Sequence, residues 1–314
     1  TSTLKRAKVV AVKTSLGLPL SRCTGCCNQH AYTNGLQMKK ILCFGEALVD
    51  LLSNTLDDDN VTQESFIKFA GGAPANVSVA AAKLGGNAYF SGMLSSDMFG
   101  DFLMESLKSH GVKTDYVCVM SDAKTALAFV SLDQEGERTF EFYRDNSADL
   151  RFAYSDFQTH WFEDCSLFHF CSNTLTEQNI YASTAYGIQM AQDSGCLVSF
   201  DINLRLNLWA TDDSPRLKIL PLLARCNIIK ASKEELFYLA GEQPSDDFIQ
   251  DVLASGCQLF IVTDSSRAMQ WYTQAGKASY NPINIQMVDS TAAGDAFVGG
   301  LLYQLGQLNL TKTI

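Results

Sequence analysis

The chain has 314 residues, of which 18% are charged and 46% hydrophobic, and its formal net charge is −10 at pH 7. This length suits one large α/β domain with a small appendage and a substantial core. No apolar run is long enough to span a bilayer, so the composition predicts no transmembrane segment. The negative charge argues against a general nucleic-acid or acidic-membrane surface, because both partners would be repelled, but it leaves room for a local phosphate pocket.

The segment before Met38 differs sharply from the rest of the chain. It contains basic residues but no Asp or Glu, so all 34 acidic residues follow it. A basic, acid-poor leader rich in Ser and Thr is typical of a transit peptide. Alternatively, Met38 is the true start, and we favour this second interpretation. We therefore expect residues 1–37 to be disordered or not part of the native protein, and residues 38–314 to form the folded domain.

Most of the ten cysteines lie inside apolar stretches, as small core hydrophobes do. This pattern indicates a reducing, cytoplasmic environment. An organelle is the alternative if the basic leader is a real transit peptide.

Short apolar runs alternate with helix-length stretches from Met38 onward. This rhythm is typical of repeated βα units around a mostly parallel sheet flanked by helices. The runs that predict strands are "ILCFG", "LFHFCS", "LVSFDIN", "NIIKAS" and "LFIVTD", and "PANVSVAAAKLG" predicts a helix.

Two segments break this rhythm. "TALAFVSL" and "RTFEFYR" alternate apolar and polar residues and are joined by the Gly-containing turn "DQEGE". They predict an antiparallel hairpin, and a hairpin inserted in such a domain suits a lid. We expect the lid to include parts of residues 50–70 and 125–144.

The segment "DSTAAGDAFVGGLL" carries the strongest local signal for chemistry. The strand-like "INIQMV" leads into small residues and then a helical pattern. Such a turn places the amides of Ala292, Ala293 and Gly294 at a helix N-terminus, where unpaired donors and the helix dipole favour an anion such as a phosphoryl group. Asp295, in the first turn, is the candidate base for an attacking hydroxyl, although Asp is also an ordinary first-turn residue.

Two further motifs suit a polyol ligand. In "FAGGAPANV", Gly71 and Gly72 permit close backbone approach, and Asn76 can donate and accept at once. The alternative interpretation of this motif is an ordinary helix cap. In "GEALVD", Asp50 is predicted at the carboxyl end of the first strand, where open α/β sheets bind ligands.

These motifs, in order and spacing, resemble those of the PfkB family of ribokinase-like carbohydrate kinases, and of its fructokinases in particular. The resemblance extends from Lys39 to the C-terminus. It is carried by "GEALVD", "GGAPANV", "TALAFV", "GERTFEFYR", "SADL", "FDINLRLNLW" and "DSTAAGDAF".

The resemblance implies a ribokinase-like fold and transfer of the ATP γ-phosphate to a primary sugar hydroxyl, with fructose 6-phosphate as the product. It implies Asp295 as the catalytic base and Ala292 to Gly294 as the anion hole. The implied substrate contacts are Asp50, Gly71, Gly72, Asn76, Arg144 and Asn203. Lys230, Thr263 and Ser265 are implied on the nucleotide side, Glu235 as an indirect Mg²⁺ ligand, and Asp289 and Thr291 at a K⁺ site.

The chain departs from the family pattern where relatives carry glycine. Ala292 replaces the first glycine of the anion hole, and Ser265 and Ala268 replace glycines of the nucleotide-side turn. If Ala292 needs a positive φ, it costs about 1 kcal/mol and tilts a catalytic amide. Ser95 and Ser96 stand where relatives show Gly and Asp, and we also expect the chain to be short at its C-terminus.

Three functions stay open on the sequence alone. Active phosphorylation of fructose is the leading one. The alternatives are a kinase for ribose, a nucleoside or 2-keto-3-deoxygluconate, and a weakened sugar-binding or regulatory protein. Because lid strands can pair between subunits, a homodimer is also expected.

Overall fold

The computed structural model describes residues 38–54, 63–132, 138–211, 213–283 and 291–308. In chain order the strands are β1 (Lys40–Phe44), β2 (Leu48–Ser53), β3 (Phe66–Gly71), β4 (Ala88–Ser95), β5 (Lys113–Met120), β6 (Leu127–Leu132), β7 (Arg138–Tyr143), β8 (Cys165–Cys171), β9 (Leu197–Asp201), β10 (Ile228–Ser232), β11 (Leu259–Thr263), β12 (Met269–Thr273) and β13 (Gly276–Tyr280). The helices are α1 (Ala73–Lys83), α2 (Met98–Ser109), α3 (Gln178–Asp193), α4 (Pro215–Leu223), α5 (Lys233–Ala240), α6 (Ser245–Ala254) and α7 (Ala293–Gln307).

The main sheet has nine strands in the order β13-β12-β11-β10-β9-β8-β1-β4-β5. Its pairs from β11 to β5 are parallel, and β12 and β13 extend it as an antiparallel edge. Every residue of β8 and β9 is buried, as expected where helices cover both faces of a parallel sheet. The predicted α/β fold is confirmed.

The two faces of the main sheet pack against different elements. Phe44, Phe168 and Phe200 lie in the larger cluster on one face. Leu167 and Ile228 belong to the smaller cluster on the other face, which includes residues of α1 and α7. Because α1 and α7 share this face, their N-terminal ends can meet at one edge of the sheet.

A separate four-stranded sheet, in the order β3-β2-β6-β7, forms the lid. The predicted hairpin is present as the antiparallel pair β6 and β7, whose turn lies outside the described residues. A second antiparallel pair, β2 and β3, joins it through a parallel pairing of β2 with β6. The lid is therefore a sheet built from two distant parts of the chain, and larger than a single hairpin.

The predicted position of Asp50 was wrong. The first strand ends at Phe44, and Gly45 has a φ of +149° at the start of the connection to β2. Asp50 is the third residue of β2 and lies within the lid. The motif "GEALVD" predicts the end of one continuous first strand. The break between the two sheets was missed because it depends on long-range pairing.

Several features of the chain lie outside the predicted pattern or the described residues. The strands β4, β5, β12 and β13 had no sequence prediction of their own. The leader 1–37, most of the predicted "INIQMV" strand and residues 309–314 lie outside the description. Seven cysteines lie within the described ranges, and six of them are buried, as their apolar surroundings predicted. In the same ranges, we find no helix with both the length and the hydropathy needed to cross a bilayer.

Candidate active site

Asp295 lies in the first turn of α7 and is 9% exposed. The side-chain amide of Asn76, in the first turn of α1, donates a 2.9 Å hydrogen bond to its Oδ2. Burial raises the pKa of Asp295, against the opposing effects of Asn76, Lys230 and Arg205. A buried carboxyl with a raised pKa, oriented by an amide, is suited to accept a proton from an attacking hydroxyl.

Asp50 is the second carboxylate of this region. Burial and, as a smaller contribution, the nearby charge of Asp295 together raise its pKa to about 6. Gly71 lies beside it on β3, and a Cβ at this position would collide with the Asp50 carboxylate. Gly71 therefore makes room for Asp50, and the structure brings Asp50, Asn76 and Asp295 together as predicted.

Gly72 forms the turn that begins α1. Its φ is +100°, and a Cβ would lie 2.8 Å from the Cα of Ala47. Its carbonyl accepts a 2.9 Å hydrogen bond from the backbone N–H of Asn76. The turn therefore requires glycine for its own backbone and packing, and it sets the direction of the first turn of α1, which carries Asn76.

The predicted anion hole occupies the start of α7. Ala292 is the N-cap and has a left-handed backbone (φ 55°, ψ 15°), so the expected positive φ is confirmed. Ala293 and Gly294 follow as the first helical residues. Their N–H groups belong to the turn that has no intrahelical acceptors, so the end of the helix can receive an anion.

A buried ion pair lies next to this turn. The Nζ of Lys230 is 3.0 Å from Oδ1 of Asp201, its neighbour on the adjacent strand. The same Nζ would be 3.4 Å from a Cβ at Gly294. Burial lowers the pKa of Lys230, but Asp201, Glu235 and Asp295 outweigh this and raise it, so the ammonium stays charged.

Asp201 is a site residue that the sequence did not single out. Burial raises its pKa to about 7, although Lys230 acts in the opposite direction. It lies at the carboxyl end of a parallel strand, and that position was the signal that could have found it.

Glu235 connects two loops near the ion pair. Its Oε2 accepts a 2.7 Å hydrogen bond from the N–H of Ser232, and its Oε1 accepts a 2.8 Å bond from the N–H of Leu204. Ser232 in turn caps α5 by accepting from the N–H of Glu235. Asn203, the residue before Leu204, is buried and has a φ of 36°. Glu235 therefore fixes the loop that carries Asn203.

Arg144 has protein partners in place of the predicted substrate contact. Its guanidinium lies 2.7 Å from Oδ2 of Asp149 and also donates to Oγ1 of Thr176 and to the carbonyl of Asn173. Both members of the ion pair are buried. The reason is long-range packing at the base of the lid, which "FYR" alone does not reveal.

The predicted nucleotide side lies at the ends of β10 and β11. Thr263 ends β11 and its hydroxyl donates a 3.5 Å hydrogen bond to the carbonyl of Ala231. Ser265, in the turn that follows, has a φ of 50°, so this position also adopts a backbone conformation that favours glycine. Thr291 immediately precedes the anion-hole turn, and Asp289 lies outside the described residues.

Two residues of "DINLRLNLW" were missed at the sequence level. The charge of the exposed Arg205 lowers the pKa of Asp295, so a third cationic side chain lies near this region of the site. The side-chain amide of Asn207 donates a 3.1 Å hydrogen bond to the carbonyl of Phe140 in the lid. This loop therefore places a positive charge near Asp295 and contacts the lid.

The arrangement combines a buried base, an anion-binding helix end and nearby cations. Together with the carboxylate and amide hydrogen-bonding groups of the lid and of α1, it suits transfer of a phosphoryl group to a hydroxyl of a polar small molecule. Among the described residues, no group of three His, Cys, Asp or Glu side chains could hold a metal ion. The fold and the site thus define a small-molecule kinase.

Comparison with known proteins identifies the family. The model of the pfkB family carbohydrate kinases matches residues 38–311. Fructokinase-1 of Oryza sativa subsp. japonica is 35% identical over 268 residues, which cover 85% of this chain and 83% of that protein. The chain belongs to the pfkB family of carbohydrate kinases.

Solved structures support the same assignment. A fructokinase from Xylella fastidiosa with bound ATP is 45% identical, with a TM-score of 0.83 over 88% of this chain and 84% of that chain. A fructokinase double mutant from Vibrio cholerae O395 in a form with fructose, ADP and potassium ion bound is 31% identical, with a TM-score of 0.76 over 86% and 84% of the two chains. The ribokinase-like fold is therefore shared with both.

Proposed function

We propose that this protein is an ATP-dependent fructokinase that converts D-fructose to fructose 6-phosphate. The observation that carries the proposal is the Asp295 carboxylate, buried at the anion-binding end of α7 and hydrogen-bonded to Asn76. The fructokinase relatives, at 35% and 45% identity over most of the chain, support fructose as the acceptor.

In the proposed reaction, the acceptor hydroxyl of the sugar approaches Asp295. Asn76 occupies Oδ2, so Oδ1 can accept the hydroxyl proton as the oxygen attacks the γ-phosphorus. Asp50, Gly71, Gly72 and Asn203 are proposed to contact the sugar. Their role is to hold its hydroxyl in line with the phosphoryl group.

Charge that develops on the transferring group is stabilised by two sets of donors. The N–H groups of Ala292, Ala293 and Gly294 form the anion hole, and the Lys230 ammonium adds a positive charge beside it. Thr263 and Ser265 are proposed to contact the nucleotide from the neighbouring turn. Asp201 keeps Lys230 oriented through the 3.0 Å ion pair.

Magnesium is proposed to accompany ATP and to neutralise its β- and γ-phosphates. Glu235 fits an indirect role, because each of its oxygens accepts one backbone N–H and retains a lone pair for a metal-bound water. Thr291 and Asp289 are proposed for a K⁺ site. The potassium-bound relative supports this proposal.

The test is coupled ADP release by the purified full chain with fructose, ribose, 2-keto-3-deoxygluconate or no sugar. We expect fructose-dependent turnover, and a loss of about 10²–10⁴-fold in kcat for Asp295→Asn, the range for removal of a general base. Asp115→Asn, an exposed carboxylate on β5, is the matched control and should retain turnover.

Other outcomes separate the alternatives. Turnover that prefers another sugar would replace fructose but keep the kinase assignment. Fructose binding by calorimetry without turnover would favour a sugar-binding protein. Activity that survives Asp295→Asn would contradict the proposed base.

A further inference from the structure

Glu46 is a buried carboxylate that the proposed phosphoryl transfer does not use. It lies between β1 and β2 and is 1% exposed. Burial raises its pKa, although Arg144 and Asn173 act in the opposite direction. A carboxyl this deeply buried is unfavourable unless its oxygens have specific partners.

The partners of Glu46 lie on two other segments. Its Oε1 accepts a 3.1 Å hydrogen bond from the backbone N–H of Ala73 and a 3.0 Å bond from the side-chain amide of Asn173. The thiol of Cys171 lies 3.6 Å from each carboxylate oxygen. Glu46 therefore links the start of the lid, the start of α1 and the segment that follows β8.

The contact with Ala73 satisfies a requirement of α1 that its own sequence leaves open. Ala73 is the first residue of the helix, and an N–H at this position has no intrahelical acceptor. The N-cap is Gly72, which has no side chain to cap the helix, and the first turn contains no acidic residue. Glu46 supplies the missing acceptor from outside the helix.

The glycine at the N-cap is itself fixed by Glu46. A Cβ at Gly72 would collide with the backbone carbonyl of Glu46. Because the turn cannot carry a capping side chain, the cap has to come from elsewhere in the chain. The backbone carbonyl of Glu46 thus excludes a capping side chain at position 72, and the Glu46 carboxylate replaces that cap.

The same cap is tied to the base of the lid. Asn173 donates its side-chain amide to Glu46, while its carbonyl accepts a 3.0 Å hydrogen bond from Arg144. Glu46 precedes the first lid strand and Arg144 follows the last one, so the two ends of the lid meet at Asn173. The Oδ1 of Asn173 is buried and has no hydrogen-bond partner among the described residues.

We propose that Glu46 is a positioning residue that caps α1 in place of Gly72 and thereby sets Asn76 against Asp295. Through Asn173, the cap also couples the position of Asn76 to the base of the lid. Its catalytic consequence rests on the proposed function, whereas its effect on α1 does not.

The experiment compares Glu46→Met with Glu46→Gln in the full chain. Met has a similar length but no strong acceptor, whereas the amide oxygen of Gln can accept from both Ala73 and Asn173. Hydrogen exchange of residues 71–78 is measured together with residues 178–193 of α3, and kcat and KM are measured for fructose. Glu46→Met should speed exchange in 71–78 by about two- to thirtyfold, the range for a lost cap, and should leave 178–193 unchanged.

The same variant should lower kcat for fructose, and Glu46→Gln should restore both exchange and kcat to near wild-type values. Thr184→Val is the matched control, because its buried hydroxyl donates within α3 and to Thr174. It should speed exchange in 178–193 and leave 71–78 and kcat unchanged.

Three results would overturn the proposal. They are unchanged exchange of 71–78 in Glu46→Met, a uniform increase over both segments, or a Glu46→Gln variant as defective as Glu46→Met. Absence of fructose turnover in the wild type would contradict the proposed function alone, because the exchange measurement still decides the role of Glu46.

Discussion

At the scale of single residues, Ala292 shows how a site can keep a demanding backbone without glycine. Its φ of 55° lies in the left-handed region, and Ser265 has a φ of 50°. A non-glycine residue there is strained by roughly 1–2 kcal/mol. The two positions therefore adopt a backbone conformation that favours glycine, at a cost to stability.

Ala292→Gly should raise the free energy of unfolding by roughly 0.5–1 kcal/mol, because relief of strain outweighs the added freedom of the unfolded chain. Urea denaturation measures the change, and kcat should not fall. Ala296→Gly is the matched control. The exposed Ala296 lies inside α7, where the same replacement should cost about 1 kcal/mol. Equal effects of the two variants would contradict the strain argument.

Asp50 gives a pH dependence of stability. Its pKa is about 6 in the folded protein against an ordinary 3.8, so between these values the native state binds more protons than the unfolded state. The contribution of Asp50 to the free energy of unfolding therefore decreases as pH rises from about 4 to about 6 and is constant above that range. Asp50→Asn removes this titration.

As pH rises from 4 to 7, the free energy of unfolding of Asp50→Asn should therefore increase relative to that of the wild type by on the order of 2 kcal/mol. Denaturant melts of both proteins across this range measure the difference, in which the groups they share largely cancel. A flat difference for Asp50→Asn would show that its pKa is not raised.

At the scale of elements, the turn between the lid and α1 is the most constrained junction of the site. Gly72 combines a φ of +100° with a crowded neighbourhood. Gly85 has a similar φ of +93°, but a Cβ there would meet nothing within 4 Å. Substitutions at Gly72 and Gly85 therefore separate the cost of backbone strain from the cost of steric collision.

Gly85→Ala should cost about 1–2 kcal/mol of stability, from strain alone. Gly72→Ala should cost several kcal/mol, because strain adds to the collision with the 46–47 backbone, and it should abolish fructose binding. Thermal melts and calorimetric titration with fructose measure both effects. Similar losses in the two variants would mean that the turn moves to accommodate a side chain.

The elements themselves were predicted to very different degrees. The apolar runs of β1, β8, β9, β10 and β11 predicted strands correctly, because strands buried on both faces have a continuous apolar pattern. The lid was predicted from its alternating hairpin, but the pairing of β2 with β6 was not. A parallel pairing between distant segments has no local sequence signal, and this is why Asp50 was assigned to the wrong sheet.

At the scale of the whole molecule, one face of the lid has exposed apolar side chains. Leu52 pairs with Ile67 and with Val130, and Val130 pairs with Phe140, so these side chains share a face with Asp50. Ile67 and Phe140 are 58% and 49% exposed. An apolar row of this kind favours association, and we propose a homodimer through the lid.

Phe140→Ser should shift the protein from dimer to monomer in light scattering after size exclusion. Tyr143→Ser is the matched control, because Tyr143 is 56% exposed on the opposite face of the same strand and should leave the dimer intact. A wild-type protein that is monomeric at micromolar concentration would rule out the proposed dimer, and dissociation by both variants would place the interface elsewhere.

The family, the presence of most core strands, the glycine-poor turn before α7 and the choice of Asp295 as the candidate base were all accessible from the amino-acid sequence. These features depend on local pattern, since helix ends, glycine positions and buried strands have signatures within a few residues. The tertiary structure alone decided that Arg144 pairs with Asp149 beneath the lid, that Asp201 holds Lys230, and that Glu46 caps α1. Glu46 and Ala73 are separated by 27 positions in the chain, and Asn76 and Asp295 by 219. Only the packing of sheet, lid and helices brings such partners within hydrogen-bond distance, so no reading of local sequence could have paired them.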